Sequence, residues 1–119
     1  MRALLITLSF MLPALAQADI IKCHFTEPFI TTTYSMAQQK LTSVDMENRT
    51  TVTRNVSFQI KGPGHFELWD RNRRVIQVIH LNFNGSDGMS DRRYPYEVHW
   101  NTRHLHGGCT SNFLHASEN

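Results

Sequence analysis

Short runs of β-branched and aromatic residues, broken at close intervals by Gly, Pro, Asn and Asp, leave this chain no stretch with the apolar period of an amphipathic helix. A chain punctuated in this way is expected to fold as antiparallel strands. From Thr51 to Ile60 the residues alternate, with Val52, Val56, Phe58 and Ile60 on one face and Thr51, Thr53, Asn55, Ser57 and Gln59 on the other, the pattern of a half-buried strand. Lys61-Gly62-Pro63-Gly64 then turns the chain into His65–Trp69, and Asp70-Arg71-Asn72-Arg73 turns it into Arg74–Phe83, where both faces carry apolar groups, as in a central strand.

Further strands are expected at Ile20–Phe25, Phe29–Met36, Leu41–Met46 and Tyr94–Trp100, for about seven or eight in all. With so many short strands in about a hundred residues, a closed or nearly closed small antiparallel barrel leaves the fewest unpaired edges, and a two-sheet β-sandwich is the alternative. The fold class is therefore all-β. Internal repeats and low-complexity segments are not evident.

Residues 1–18 read as a cleavable signal peptide. A positive start (Met1, Arg2) precedes an apolar run from Ala3 to Leu12, the breaker Pro13, and small residues at Ala16 and Ala18. That run is about half the twenty residues needed to span a bilayer, so no transmembrane anchor is expected. Residues 19–119 then form a single all-β domain, periplasmic or secreted. The formal charge of +2, about +1 once Arg2 is removed, does not suggest a nucleic-acid partner.

The two cysteines, Cys23 and Cys109, lie near opposite ends of the mature chain, and an oxidising compartment favours their disulfide bond. Closing so long a loop is worth about 4 kcal/mol on the chain-entropy account. The spacing is not that of a Cys-x-x-Cys redox pair.

Two segments, Cys23-His24-Phe25-Thr26-Glu27-Pro28-Phe29 and Ser86-Asp87-Gly88-Met89-Ser90-Asp91-Arg92-Arg93-Tyr94-Pro95-Tyr96, with Gly107-Gly108-Cys109 after them, resemble a group of small bacterial envelope proteins. That group is marked by EPFW-like and SDGMSDRxYPY-like motifs, has no assigned activity, and includes members similar to the β-barrel domains of periplasmic inhibitors of animal-type lysozyme. This chain departs from the pattern at Ile30, where tryptophan is usual, and at Gly85, where a cysteine is expected. The second departure leaves Cys109 to pair with Cys23. The resemblance implies an envelope address and a non-catalytic binding or inhibitor-like role, its partner an envelope protein or cell-wall ligand. The binding surface it points to comprises Glu27, Ser86, Asp87, Ser90, Asp91, Arg92, Tyr94 and Tyr96.

On chemistry alone the Asn84–Arg93 segment reads as a polar loop whose short side chains bond its own backbone, with Asp91 meeting an arginine, or else as a ligand-capturing loop. The spacing of a calcium loop is missing. Seven histidines are the compositional oddity. If Asn101-Thr102 forms a two-residue turn, Val98 pairs with Leu105 and Tyr94 with Cys109. Glu97 then opposes His106 and His99 opposes His104 on the outer face, within reach of a shared zinc or copper ion. The plainer account is a solvated strand face.

Three positive charges at Arg71, Arg73 and Arg74 read as a wet hairpin end, with docking of anionic glycans or lipids as the alternative. A small hydrolase is the third class, without a Gly-x-Ser-x-Gly elbow, a His-Glu-x-x-His or a phosphate loop to carry it. As for a lysozyme inhibitor, a partner near +1 lacks the broad steering that a cationic enzyme would exploit, and only Asp87 and Asp91 offer a local acidic face.

Overall fold

The computed structural model describes residues 20–26, 28–112 and 114, so the expected signal peptide (1–18) and Glu27 lie outside the described residues. The strands are β1 (Ile20–Phe25), β2 (Ile30–Ser35), β3 (Lys40–Asp45), β4 (Thr50–Arg54), β5 (Ser57–Gly62), β6 (His65–Trp69), β7 (Val75–Gly85), β8 (Tyr94–Trp100) and β9 (Leu105–Ser111). All belong to one antiparallel sheet in the order β4-β3-β2-β1-β9-β8-β7-β6-β5. Among the described residues no helix is long and apolar enough to cross a membrane.

The all-β expectation holds, and the details differ in three ways. First, the run from Thr51 to Ile60 is two strands, not one, which raises the count to nine. Asn55 breaks it with φ 62°, in the left-handed region that asparagine tolerates better than most side chains. Val56 is then fully buried, with its N–H donating to the Gln39 carbonyl (2.9 Å) and its carbonyl accepting from the Tyr34 hydroxyl (2.8 Å).

Second, a single continuous sheet replaces the alternative of two stacked ones, and it curls into a half-barrel. β2 and β7 stand four places apart in the strand order, about 19 Å if the sheet were flat. Yet Gln77 Nε2 of β7 lies 3.4 Å from Thr32 Oγ1 of β2, so the sheet bends until its inner faces meet. The core fills that bend, with Ile21, Tyr34, Leu68, Ile79, Tyr96 and Val98 almost wholly buried.

Third, the barrel does not close between its edges. Among the described residues β4 pairs only with β3 and β5 only with β6. Ile60 pairs with Phe66 on the face that carries Ile79, yet it is 70% exposed, and Val52 is exposed as well. Both were expected in the core. Alternation assigned their faces, and an open seam uncovered them.

Two turns share one device. Asp45 accepts the backbone N–H of Glu47 and Arg49, and Asp70 that of Asn72 and Arg74, each carboxylate also meeting the arginine side chain. These donors hold both acids below the usual carboxylate range. The basic cluster at Arg71–Arg74 is accordingly part of an exposed hairpin end, one of its charges turned onto Asp70.

Cys23 and Cys109 stand directly opposite each other on β1 and β9 and are joined by a disulfide, as expected. These strands occupy the middle of the sheet, so the bond ties the two ends of the described chain at its centre.

Candidate functional site

Between β7 and β8 the 86–93 loop is built around one carboxylate. Asp87 accepts the backbone N–H of Met89 and of Ser90 (both 2.9 Å), the Ser90 hydroxyl, and the Tyr94 hydroxyl (3.1 Å). Ser86 Oγ takes the Gly88 N–H, Ser90 Oγ the Arg92 N–H, and Arg93 donates to Asn84 Oδ1. The backbone donors of Met89 and Ser90 are the main cause that pulls Asp87 far below the usual carboxylate range. Its depressed pKa means its contribution to stability is complete above about pH 4, where the unfolded carboxylate is also ionised, and is lost as the pH falls toward the folded value.

Asp87→Ala should therefore loosen the loop at neutral pH, and limited proteolysis should show faster cleavage between residues 86 and 93. Asp91→Ala should cleave like wild type. Asp91 is exposed and forms no ion pair among the described residues, contrary to the arginine contact expected for it.

This loop lies against the strands that carry the other two quoted segments. Thr26 Oγ1 donates to the Asp87 carbonyl, and Gly88, with φ 76°, approaches Thr26 so closely that a β-carbon would collide with it. The Tyr94 ring packs on His24 with centroids 5.7 Å apart, and the Arg92 guanidinium covers it at 4.7 Å. Beneath lies Gly108, where a β-carbon would meet the Tyr94 ring at 2.7 Å. Burial foremost, then the charge of Lys22, lowers the His24 pKa; Asp87 opposes this and Arg92 adds to it. Three segments distant in sequence thus form one contiguous structure.

Of the expected binding residues, Ser86, Asp87 and Ser90 are taken up by the loop's own bonds, while Asp91 and Arg92 face solvent. Tyr94 is buried beside His24. Tyr96 is a correction: only 1% exposed, it belongs to the core with Val98 and Trp100, because alternation along β8 turns all three inward.

What the loop leaves open is a cleft of ≈ 330 Å³ between it and the β1–β2 and β3–β4 turns, lined by His24, Phe29, Val44, Met46, Asp87 and Met89. Met46 and Met89 are each 69% exposed and Phe29 36%. A second recess of ≈ 290 Å³ shares Phe29 and Met46 and reaches Ser43, Thr51 and Arg103. Sequence reasoning missed this trio. The expected strands take in Phe29 and Met46 at their ends, whereas β2 begins at Ile30 and β3 ends at Asp45, so both fall in turns, where burial by alternation does not operate.

The histidine hairpin has a different register from the one expected. The turn spans Asn101–His104, with His104 at φ 55°, so Trp100 opposes Leu105, His99 opposes His106, Glu97 opposes Gly108 and Tyr96 opposes Cys109. The slip is two residues, which keeps every side chain on its expected face while changing its partner. His99 and His106 come together, with Nδ1 and Nε2 3.3 Å apart. Glu97 instead accepts from Asn82 (2.7 Å), and exposed His104 lies in the turn. The four-ligand zinc or copper site is thus not assembled; among the described residues no three or more His, Cys, Asp or Glu side chains are grouped to hold an ion. Burial first, then the neighbouring charges of His106 and His104, lowers the His99 pKa.

No protein family, no curated protein and no solved structure matches this chain.

Proposed function

We propose that this chain is a non-catalytic binding module of the bacterial envelope, exported by residues 1–18, whose recognition surface is the cleft between the 86–93 loop and the β1–β2 and β3–β4 turns. The observation that carries this reading is the convergence of Phe29, Met46 and Met89, three of the large apolar side chains exposed among the described residues, on one cleft beside a loop fixed by its own hydrogen bonds. Apolar side chains gathered on a rim mark interaction surfaces, and methionine adapts to an irregular partner. The volume lies at the low end for a ligand pocket, a size suited to one or two inserted apolar side chains of an envelope protein.

Inhibition of a cationic lysozyme is a less suitable version of this role. It would draw on Asp87 and Asp91 as an acidic face, and the Asp87 carboxylate is engaged by three donors of its own loop and by the Tyr94 hydroxyl at the start of β8.

The test is capture from envelope extract by immobilised mature protein, wild type beside Met46→Ser/Met89→Ser. Burying each methionine contributes about 1.5 kcal/mol, or roughly tenfold in affinity, so the double variant should lose most of the capture while melting like wild type. A partner retained equally by both proteins would place recognition elsewhere.

A further inference from the structure

The paired histidines on β8 and β9 have a geometry that the proposed cleft does not use. His99 and His106 stand directly opposite each other, with ring centroids 4.5 Å apart, planes inclined at 55°, and Nδ1 of one 3.3 Å from Nε2 of the other. Two explanations compete for that distance. One is a direct N–H···N hydrogen bond between the rings, which runs slightly longer than the about 2.7–3.2 Å usual for N–H···O. Two nitrogens bound to a common tetrahedral ion, each about 2.0–2.1 Å from it, stand about 3.3 Å apart.

The geometry points to a divalent transition-metal site, for zinc or a similar imidazole-binding ion, formed by His99 Nδ1 and His106 Nε2 on the outer face of the β8–β9 hairpin. Two imidazoles fill two positions of a tetrahedron. Water, or a donor from a bound partner, takes the others, since no third His, Cys, Asp or Glu is grouped with them among the described residues. Open positions are the mark of a site that exchanges its ion or bridges to another molecule, unlike a closed structural centre. His106 is exposed and His99 half-buried, so an ion reaches the pair from solvent.

The strands themselves fix this pair. On an antiparallel ladder directly opposed side chains begin about 5 Å apart at Cβ, and the flanking Trp100–Leu105 pair holds the register. A second cross-strand pair, His65 on β6 and His80 on β7, shows the contrast. Its ring centroids are also 4.5 Å apart, but His65 Nε2 is buried and faces Glu67 Oε2 at 3.4 Å, so that nitrogen is not open to an ion from solvent.

Isothermal titration of tag-free mature protein with zinc chloride is expected to show one saturable site, reversed by a chelator. His99→Ala and His106→Ala should each abolish it. His104→Ala, Glu97→Gln and His80→Ala should bind as wild type does. These side chains lie outside the core, and an unchanged urea midpoint in the metal-free state will show that each variant folds. Nitrogen hyperfine splitting from two imidazole nitrogens in the cupric form gives an independent readout. Absence of saturable binding by wild type, or binding that survives His99→Ala or His106→Ala, overturns the site. Loss on His104→Ala or Glu97→Gln overturns the two-imidazole geometry in favour of a larger ligand set.

Discussion

Gly107→Ala is expected to leave little or no folded protein. A β-carbon at position 107 would land on the main-chain carbonyl oxygen of His24 and press on the Phe25 ring, and at Gly85 it would land on the carbonyl oxygen of Tyr96. Flexible side chains yield to such an intrusion; a carbonyl locked into the next strand of a sheet does not. Either substitution should cost about 3 kcal/mol or more, a large share of the 5–15 kcal/mol that holds an ordinary domain together. Gly62→Ala supplies the comparison, because nothing lies within 4 Å of its added β-carbon. Urea midpoints measured side by side should place Gly62→Ala near wild type and the other two far below it. A Gly107→Ala midpoint equal to that of Gly62→Ala would mean that β1 and β9 do not approach as described, and an equal Gly85→Ala midpoint the same for β7 and β8.

Removing the disulfide is the second large effect. Cys23 and Cys109 are 86 residues apart, and on the chain-entropy account a closed loop of that size is worth about 4–5 kcal/mol. Cys23→Ser/Cys109→Ser, or wild type in reductant, should therefore unfold at a much lower urea concentration, with a steeper dependence on denaturant because the unfolded chain without the crosslink is more expanded. Titration of the unfolded, unreduced wild type should find no free thiol. Two free thiols, or an unchanged midpoint on reduction, would remove the bond from the account of stability.

What could be read from the residues, and what could not, divides along a physical line. Alternation is a local property, so the strands at His65–Trp69 and Tyr94–Trp100, and the inward face of Val98, were legible. Exposure at a sheet edge is not local. Val52 and Ile60 alternate faultlessly and still face solvent, because β4 and β5 do not cover each other. The histidine register failed for a related reason. Placing Leu105 opposite Val98 satisfies the hairpin by itself, whereas the structure sets Val98 against Gly107 and Glu97 against Gly108. Those pairings gain nothing within the hairpin. Beside the local Trp100–Leu105 pair, they leave room for Tyr94 over Gly108 and for the 86–93 loop to reach Thr26, contacts that no two-strand argument contains. Within the quoted segments, the loop's self-bonding was legible from its Ser and Asp content; of the exposed trio, Phe29 and Met46 were hidden by strands extended one residue too far, and Met89 lay in a loop without periodicity.

The strand order has a consequence for how the chain reaches its native state. Every neighbouring pair joins strands consecutive in sequence except β1 with β9, which no turn connects and whose Cys23 and Cys109 are bonded across mid-strand. Two zigzags, β1–β4 and β5–β9, can each assemble from low-contact-order hairpins, at the microsecond scale typical of such elements. Joining them then requires one closure across nearly the whole sequence, whose entropic cost falls on a single strand pair. Oxidation makes that closure permanent, after which the chain behaves as a ring already cut and mended at the middle of its sheet. A circular permutant opened between Asn55 and Val56, with Asn112 linked to Ile20, would be a plain nine-strand meander in which all the neighbours are local.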